Sequence, residues 1–162
     1  MPSLKRRADY FVGQFDAMAS CCEVLIDTRS EGLAQDITRI AATEVTRIEK
    51  KYSRYRDDSI LHDINSGAAV EVDEETARLL DYAQQLYQLS EGLFDITSGV
   101  LRRVWRFDGS DNIPRADEVD ALLPLIGWNK VKWDAPLIQL PTAMEIDLGG
   151  IGKDYAVDIV AE

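Results

Sequence analysis

Apolar residues recur at spacings of three and four along a stretch that begins at Ser30. They are Leu33, Ile37, Ile40, Ala41, Val45 and Ile48. This spacing places apolar side chains on one face of an α-helix, and charged residues fill the opposite face. The sequence therefore predicts one long amphipathic helix, and the remaining elements are assigned by their order before and after it.

Two strands are predicted before this helix, and further helices and strands are predicted after it. The two strands cover residues 10–18 and 22–28. After the long helix, the predicted elements are a short helix near 59–64, a strand over 70–72 and a helix between the N-cap Asp73 and Gly92. They are followed by helices within 93–105 and over 117–126 and by strands over 128–133, 136–140 and 143–148. The order of strands, helices and strands favours an α+β fold, with a mixed or antiparallel sheet and packed helices, over a doubly wound parallel sheet.

Length and charge restrict the classes of partner. The 162 residues are enough for a single domain with its own core. A formal net charge of −11 disfavours binding to nucleic acid or to an anionic membrane surface, because phosphate groups select basic surfaces. The sequence has no apolar stretch long enough to span a membrane, and no apolar signal-peptide core follows its basic start. It therefore predicts no nucleic-acid partner, no membrane span and a cytoplasmic location.

Cysteine and histidine are too few for several classes of enzyme. Cys21 and Cys22 are the only cysteines and are adjacent in a predicted strand, and His62 is the only histidine. A zinc site of the usual kind and a Cys–His nucleophile are therefore excluded. A triad of His62 with Ser59 and Asp63 is disfavoured, since neighbours in sequence seldom have triad geometry.

The stretch DLGGIGKD, residues 147–154, places glycines between an acidic residue and a helix-like tail. Glycine allows a close backbone approach or a positive φ, and the free amides at the start of a helix favour a phosphate or a carboxylate. The spacing fits neither a P-loop nor a dinucleotide-binding fingerprint. Two interpretations stay open: a diphosphate-binding corner completed by Asp147 and Lys153, and a tight strand-to-helix turn without a ligand.

Four stretches occur in a characteristic order across nearly the whole chain. They are DAMAS at residues 16–20, YSRYRDDSILHDIN at 52–65, SEGLFDITSGVLRRVW at 90–105 and DLGGIGKDYAVD at 147–158. Taken together they resemble the ApbE-type FAD:protein FMN transferase family, whose older name is thiamine biosynthesis lipoprotein. The resemblance is specific because no single stretch has to carry it.

The resemblance implies a function, a substrate and a set of binding residues. Members of the family transfer the FMN half of FAD to a Ser or Thr hydroxyl of a target protein with release of AMP, and Mg²⁺ binds the diphosphate. The resemblance also implies flavin contacts from Met18, Tyr55, Leu93, Phe94, Asp95, Asp147 and Lys153, and a metal-binding backbone carbonyl at Gly150. It assigns no catalytic residue.

The family's enzymes are longer than this chain, so residues 1–162 resemble the N-terminal part of one transferase domain. The last helix-like stretch, residues 153–162, has no C-cap glycine, which favours a chain that stops within the fold. The family's main metal-binding carboxylates fall outside the resemblance, so we expect the isolated chain to be inactive in transfer. Two alternatives stay open: an FAD pyrophosphatase that releases FMN and AMP, and a non-catalytic flavin-binding domain. Family members are often exported and membrane-anchored.

Three places depart from the family's pattern. Ala19 and Ser20 replace a Gly-Thr pair, Arg54 replaces a small hydroxyl residue, and Asp154 replaces the glycine after Lys153. Asp154 either weakens an anion site by repulsion or lies on the outer face of its helix.

Two of the implied contacts also have a purely structural interpretation. Tyr55 either stacks on a flavin or adenine ring or seals the edge of the core with its hydroxyl in water. Asp95 contacts the flavin, caps the helix that follows it, or does both. Trp105, Trp128 and Trp133 are interpreted as packing residues, because large aromatic side chains usually bury area.

Overall fold

The computed structural model describes residues 2–106, 111 and 113–161. This part of the chain divides into two compact units. We call Ser53–Gly150 the central unit, and we call the described residues up to Tyr52 together with those from Ile151 onward the terminal unit.

The elements follow the predicted order closely. The strands are β1 (Ser3–Arg6), β2 (Phe11–Ala17), β3 (Ser20–Ile26), β4 (Val70–Glu71), β5 (Lys132–Asp134) and β6 (Leu137–Gln139). The α-helices are α1 (Glu31–Lys51), α2 (Ile60–Asn65), α3 (Glu74–Leu89), α4 (Ala116–Asp120) and α5 (Gly152–Ala161), and 3₁₀ helices cover Ile96–Arg103, Leu123–Leu125 and Trp128–Lys130. Within the described ranges no helix combines the length and the apolar character that crossing a bilayer requires.

The terminal unit contains a three-stranded antiparallel sheet in the order β1-β2-β3. β2 and β3 form a hairpin, as the two predicted strands require, and Met18 and Ala19 connect them with left-handed backbone at φ of 52° and 54°. β1 was not predicted, because its sequence SLKR carries a single apolar side chain. The helix predicted over residues 153–162 is α5, and residue 162 lies outside the described residues.

Helix α1 begins after Ser30, where the predicted helix starts. The Ser30 side chain caps it by accepting a hydrogen bond from the Leu33 N–H at 3.3 Å. Its buried face differs from the predicted one, since Leu33 and Ile40 are exposed. The buried residues of α1 are Ala34, Thr38, Ala41, Ala42, Val45 and Ile48. Small residues are buried here because the sheet comes close, and a Cβ added to Gly13 of β2 would lie only 2.2 Å from Thr38 Oγ1.

The central unit combines short helices with a second antiparallel sheet, in the order β4-β6-β5. Its helices α2 and α3 begin as predicted, after Ser59 and Asp73, whose side chains accept backbone hydrogen bonds at 3.1 Å and 2.8 Å. The helix predicted within residues 93–105 is the 3₁₀ helix Ile96–Arg103. The α+β fold with antiparallel sheets and packed helices is therefore confirmed.

Two element predictions in the later part of the central unit are wrong in their extent. The helix predicted over residues 117–126 stops after α4, and only a 3₁₀ turn containing Pro124 follows. Proline has no N–H for a helical hydrogen bond, so an α-helix does not continue through it. The strand predicted from Trp128 begins only at Lys132, after a 3₁₀ turn.

The strand predicted over residues 143–148 does not form. The Ile146 N–H donates to Asn65 Oδ1 at 2.8 Å, and Asn65 Nδ2 donates back to the Ile146 carbonyl at 3.2 Å. The Asp147 N–H donates to the Ile96 carbonyl at 2.8 Å. A side chain and a 3₁₀ helix thus take the backbone groups that a neighbouring strand would have paired.

Candidate functional site

Three segments that are distant in sequence surround one pocket in the central unit. We call it the central pocket; its volume is about 560 Å³. The lining residues used below are Arg54, Leu93, Phe94, Asp95, Ile96, Ser98, Gly99, Leu101, Arg102, Trp105, Asp147 and Gly150. Apolar walls with a few charged groups, at a volume within the usual ~300–1,000 Å³, are typical of small-molecule sites.

Arg54 contacts two neighbouring side chains at the central pocket. Its Nη1 donates to Asp147 Oδ2, and its Nη2 donates to the Tyr55 hydroxyl at 2.7 Å. Its guanidinium carbon lies 4.9 Å from the centroid of the Tyr55 ring, a cation–π distance. Burial would lower the pKa of Arg54, but the Tyr55 hydrogen bond and the Asp147 charge outweigh it and raise the pKa, so the group stays charged.

Asp147 is held in place by backbone contacts as well as by Arg54. Its Oδ1 accepts the Gly149 N–H at 2.9 Å. A Cβ added to Gly99 would lie 2.8 Å from the Asp147 Cβ and 3.0 Å from its backbone nitrogen. Only glycine at position 99 therefore allows Asp147 to pack this closely on the 3₁₀ helix. Gly99 and Asn65, two residues of the resembling stretches, position Asp147.

Both carboxylate oxygens of Asp95 accept hydrogen bonds from other residues of the central unit. Oδ1 accepts the N–H and the hydroxyl of Thr97 at 2.8 Å and 2.7 Å, and Oδ2 accepts the Trp128 N–H at 3.0 Å. The capping interpretation is confirmed, since Asp95 is the N-cap of the 3₁₀ helix and also ties it to the segment near Trp128. A flavin contact from Asp95 stays a prediction.

The aromatic ring of Phe94 in the pocket wall explains why position 150 is a glycine. A Cβ on Gly150 would lie 3.2 Å from the Phe94 ring, so glycine makes room for that ring. Positive φ is not the reason for the glycines of this turn, because neither Gly149 nor Gly150 has one. Trp105, interpreted from sequence as a packing residue, lines the pocket, and Leu93 is 93% exposed at its rim.

A second arginine of the pocket is fixed by a shared carboxylate. Glu145 accepts from Arg102 Nε at 2.7 Å and from Arg103 Nη2 at 2.6 Å. Burial alone would raise the pKa of Glu145, but the hydrogen bonds and charges of Arg103 and Arg102 outweigh it and hold the pKa below its usual value. The carboxylate stays ionised and orients Arg102 at the pocket wall.

The remaining predicted site residues belong to the terminal unit. The Met18 N–H donates to Glu49 Oε1 at 2.8 Å, and Lys153 Nζ donates to Ser20 Oγ at 2.5 Å. Both line a separate, largely apolar cavity of about 590 Å³. Asp154 is exposed in the first turn of α5.

The structure thus brings together Leu93, Phe94, Asp95, Asp147 and Gly150, and it places Tyr55 beside them through Arg54. Tyr55 is 79% exposed, so the alternative in which it seals the core edge is wrong.

A magnesium site is not formed by these residues alone. In the part of the chain that the structure describes, no group of three or more histidine, cysteine or acidic residues converges as metal ligands would. The Gly150 carbonyl and the Arg54-paired Asp147 are too few oxygen donors for the near-octahedral shell of Mg²⁺.

Comparison with known proteins identifies the family of this chain. The sequence profile of the ApbE family matches residues 18–162. The chain belongs to the ApbE family. It is 30% identical to an FAD:protein FMN transferase of Chlamydia pneumoniae, over 80% of this chain and 42% of that protein. It is 28% identical to an FAD:protein FMN transferase of Haemophilus influenzae, over 71% of this chain and 37% of that protein. The chain spans less than half the length of these curated relatives.

Solved structures show the same fold. A crystal structure of an ApbE protein of Thermotoga maritima has a TM-score of 0.83 at 28% identity, over 93% of this chain and 51% of that one. The flavin transferase ApbE of Vibrio cholerae has a TM-score of 0.81 at 21% identity, over 99% of this chain and 53% of that one.

Sequence reasoning missed two kinds of site residue. Arg54 was seen only as a departure from the family's pattern, and nothing in the sequence indicated its pairing with Asp147, 93 positions away. Arg102 carried no signal beyond its place in a helix-like stretch. The positioning roles of Gly99 and Asn65 became visible only with the backbone of residues 146–147 in place.

Proposed function

We propose that this chain forms the flavin-binding part of an FAD:protein FMN transferase, which moves FMN from FAD to a Ser or Thr hydroxyl of a target protein and releases AMP. One observation carries the proposal: the loop at Arg54, the segment from Leu93 to Trp105 and the turn Asp147–Gly150 line a single pocket. The relatives that carry the transferase name support the activity.

The central pocket suits a flat, largely apolar ring with polar edges. Phe94, Leu101 and Trp105 offer apolar surface, and aromatic walls favour stacking with a ring. Asp147 and Arg54 offer a polar border with fixed orientation. In this proposal the chain's residues bind the flavin half of FAD, orient it and keep water from its ring.

The proposed reaction exchanges one phosphorus–oxygen bond for another. The acceptor hydroxyl oxygen attacks the phosphorus of the FMN half, the bond to the AMP half breaks, and AMP leaves with the electron pair of that bond. The hydroxyl proton passes to a base or to solvent, and no residue of this chain is assigned as that base. Proximity of the acceptor and the diphosphate is the main contribution expected from the protein.

Magnesium dependence is part of the proposal through the family resemblance, with the Gly150 carbonyl as one ligand. Mg²⁺ offsets the negative charge of a diphosphate during phosphoryl transfer. The remaining ligands have to come from residues other than those described here, because the described residues do not form a metal site. We therefore assign no step of the reaction to a metal held by this chain.

A non-catalytic flavin-binding domain is the second candidate function. It is favoured by the same observation, that the described residues form a ring-sized pocket without a converging set of metal ligands. In that case FAD binds intact, and Mg²⁺ does not change its affinity.

The test combines binding with product analysis. FAD is titrated into the chain with and without Mg²⁺ by flavin fluorescence, and AMP, free FMN and protein-bound flavin are measured after denaturation, with threonine- and serine-containing peptides as acceptors. We expect the chain to bind FAD without forming products. A longer protein that contains these residues and further metal ligands should release AMP in step with peptide flavinylation. AMP with an equal amount of free FMN would instead identify a pyrophosphatase, and absence of FAD binding by the chain would overturn the proposal.

A further inference from the structure

We propose that Arg54 is a specificity-determining residue that binds a phosphate oxygen of a dinucleotide whose flat ring occupies the central pocket. The inference rests on the proposed function and adds to it the residue that distinguishes a phosphate-bearing flavin from riboflavin. It concerns a position at which this chain departs from the family's small hydroxyl residue.

Arg54 lines the central pocket, and its guanidinium also contacts the ring and the hydroxyl of Tyr55, which is 79% exposed. The guanidinium therefore borders both an apolar pocket with aromatic walls and a separate exposed aromatic ring. A dinucleotide has the same arrangement, since its diphosphate joins two flat rings.

Asp147 and Tyr55 fix the guanidinium from two sides, and the side chain of Arg54 is only 25% exposed. These two hydrogen bonds use only part of the N–H donors that a guanidinium carries. The free donors have a set direction, and the arginine fork matches the geometry of phosphate oxygens.

The chain carries a formal net charge of −11, so an anionic ligand has to be held by a local cation. Among the described residues that line the pocket, the cations are Arg54 and Arg102, and Arg102 is engaged by Glu145. Arg54 also neutralises Asp147, whose carboxylate would otherwise face the phosphate. Removal of Arg54 should therefore remove a donor and expose a repelling charge.

The test compares riboflavin, FMN and FAD as probes for the full chain, with dissociation constants from flavin fluorescence. For Arg54→Met we expect FAD and FMN binding to weaken by about 10- to 100-fold, as loss of a charge-assisted hydrogen bond implies, with riboflavin changed by less than about 3-fold. Arg54→Lys keeps the charge but loses the fork, so it should recover part of the FAD affinity. Arg54→Met combined with Asp147→Asn should bind FAD more tightly than Arg54→Met alone, because the repelling charge is gone.

The matched control is Arg56→Met. Arg56 is exposed and pairs with Asp58 at 2.7 and 2.8 Å, outside the residues that line the pocket. All three ligands should bind this variant as they bind the unmodified chain. If Arg54→Met weakened the binding of riboflavin and FAD equally, or did not weaken FAD binding, the role of Arg54 would be overturned and the proposed function would stand. No FAD binding by the unmodified chain would overturn the proposed function together with this inference.

Discussion

The central unit and the terminal unit hold their predicted site residues in different ways. In the central unit, Asp95 and Asp147 are fixed by hydrogen bonds to segments far away in the sequence. In the terminal unit, Met18 lies in a two-residue turn, and its N–H donates to Glu49. Lys153 lies in the first turn of α5, and its Nζ donates to Ser20. One family resemblance thus points to two kinds of position. The carboxylates of Asp95 and Asp147 accept two or more hydrogen bonds each, whereas Met18 and Lys153 each donate one hydrogen bond to a residue distant in sequence.

The strongest test of this contrast is Asp95→Ala. The substitution leaves the N–H groups of Thr97 and Trp128 without their acceptor, so we expect the free energy of unfolding to fall by about 2–4 kcal/mol. Urea denaturation measures the change. Asp95→Asn keeps one acceptor oxygen and should lose less. Unchanged stability with weaker FAD binding would mean that Asp95 serves the ligand and not the fold.

Gly99→Ala tests whether Asp147 depends on the close approach of two backbone segments. The added Cβ would lie 2.8 Å from the Asp147 Cβ, so Asp147 has to shift. We expect a loss of about 1–3 kcal/mol of stability, as for other overpacked sites, together with weaker FAD binding. The control is Gly32→Ala in α1, where an added Cβ meets nothing within 4 Å and stability should hold or rise slightly. Equal behaviour of the two variants would contradict the account.

Ala19→Gly addresses the terminal unit, where the effect should be local and of opposite sign. Ala19 has a φ of 54°, a left-handed conformation that favours glycine. We expect a gain of about 0.5–1 kcal/mol in thermal or urea denaturation, since relief of strain is partly offset by the entropy of glycine in the unfolded chain. Ala69→Gly, at an exposed position without positive φ, should be neutral or destabilising. A loss of stability in Ala19→Gly would show that the turn is not strained.

Glu145→Gln should have the smallest effect, a loss of stability near neutral pH that disappears in acid. The pKa of Glu145 is lowered in the folded state, so its ionised form stabilises the fold above the unfolded pKa of about 4.3, and this contribution is lost as the pH falls through the lower folded-state pKa. Denaturation at a series of pH values should show a weaker acid dependence in the variant below about pH 4.3. Identical pH profiles of the variant and the unmodified chain would mean that the ion pairs of Glu145 with Arg102 and Arg103 do not contribute to the free energy of unfolding.

The contrast also shows what the sequence could predict. The N-cap Asp73 was predicted correctly, and capping by Asp95 was one of the predicted alternatives, because a cap depends on residues within one helical turn of it. Five of the residues lining the central pocket could be named through the family resemblance, but their contacts could not; they are Leu93, Phe94, Asp95, Asp147 and Gly150. The Asn65–Ile146 hydrogen bonds join residues 81 positions apart, and no local pattern records such a contact.

The strand predicted over residues 143–148 failed for the same reason. Its alternating sequence is compatible with a strand, but Asn65 and Ile96 take the backbone groups that a strand would pair. Likewise, the apolar spacing of α1 located the helix but included Leu33 and Ile40, because the small residues at the sheet contact give no hydrophobic signal. Local hydrogen bonds were readable from the sequence, whereas long-range ones were not.

The most direct test of the central claim is FAD titration, by flavin fluorescence, into a variant whose central pocket is filled. Ser98 is exposed and lines the pocket, so Ser98→Trp places an indole in it at little cost to the fold. Gln35→Trp adds the same indole at an exposed position of α1 and is the control. We predict that Ser98→Trp weakens FAD binding by at least about 10-fold, equivalent to ~1.4 kcal/mol, and that Gln35→Trp binds as the unmodified chain does. Unchanged FAD binding by a folded Ser98→Trp variant would contradict the assignment of the flavin to this pocket.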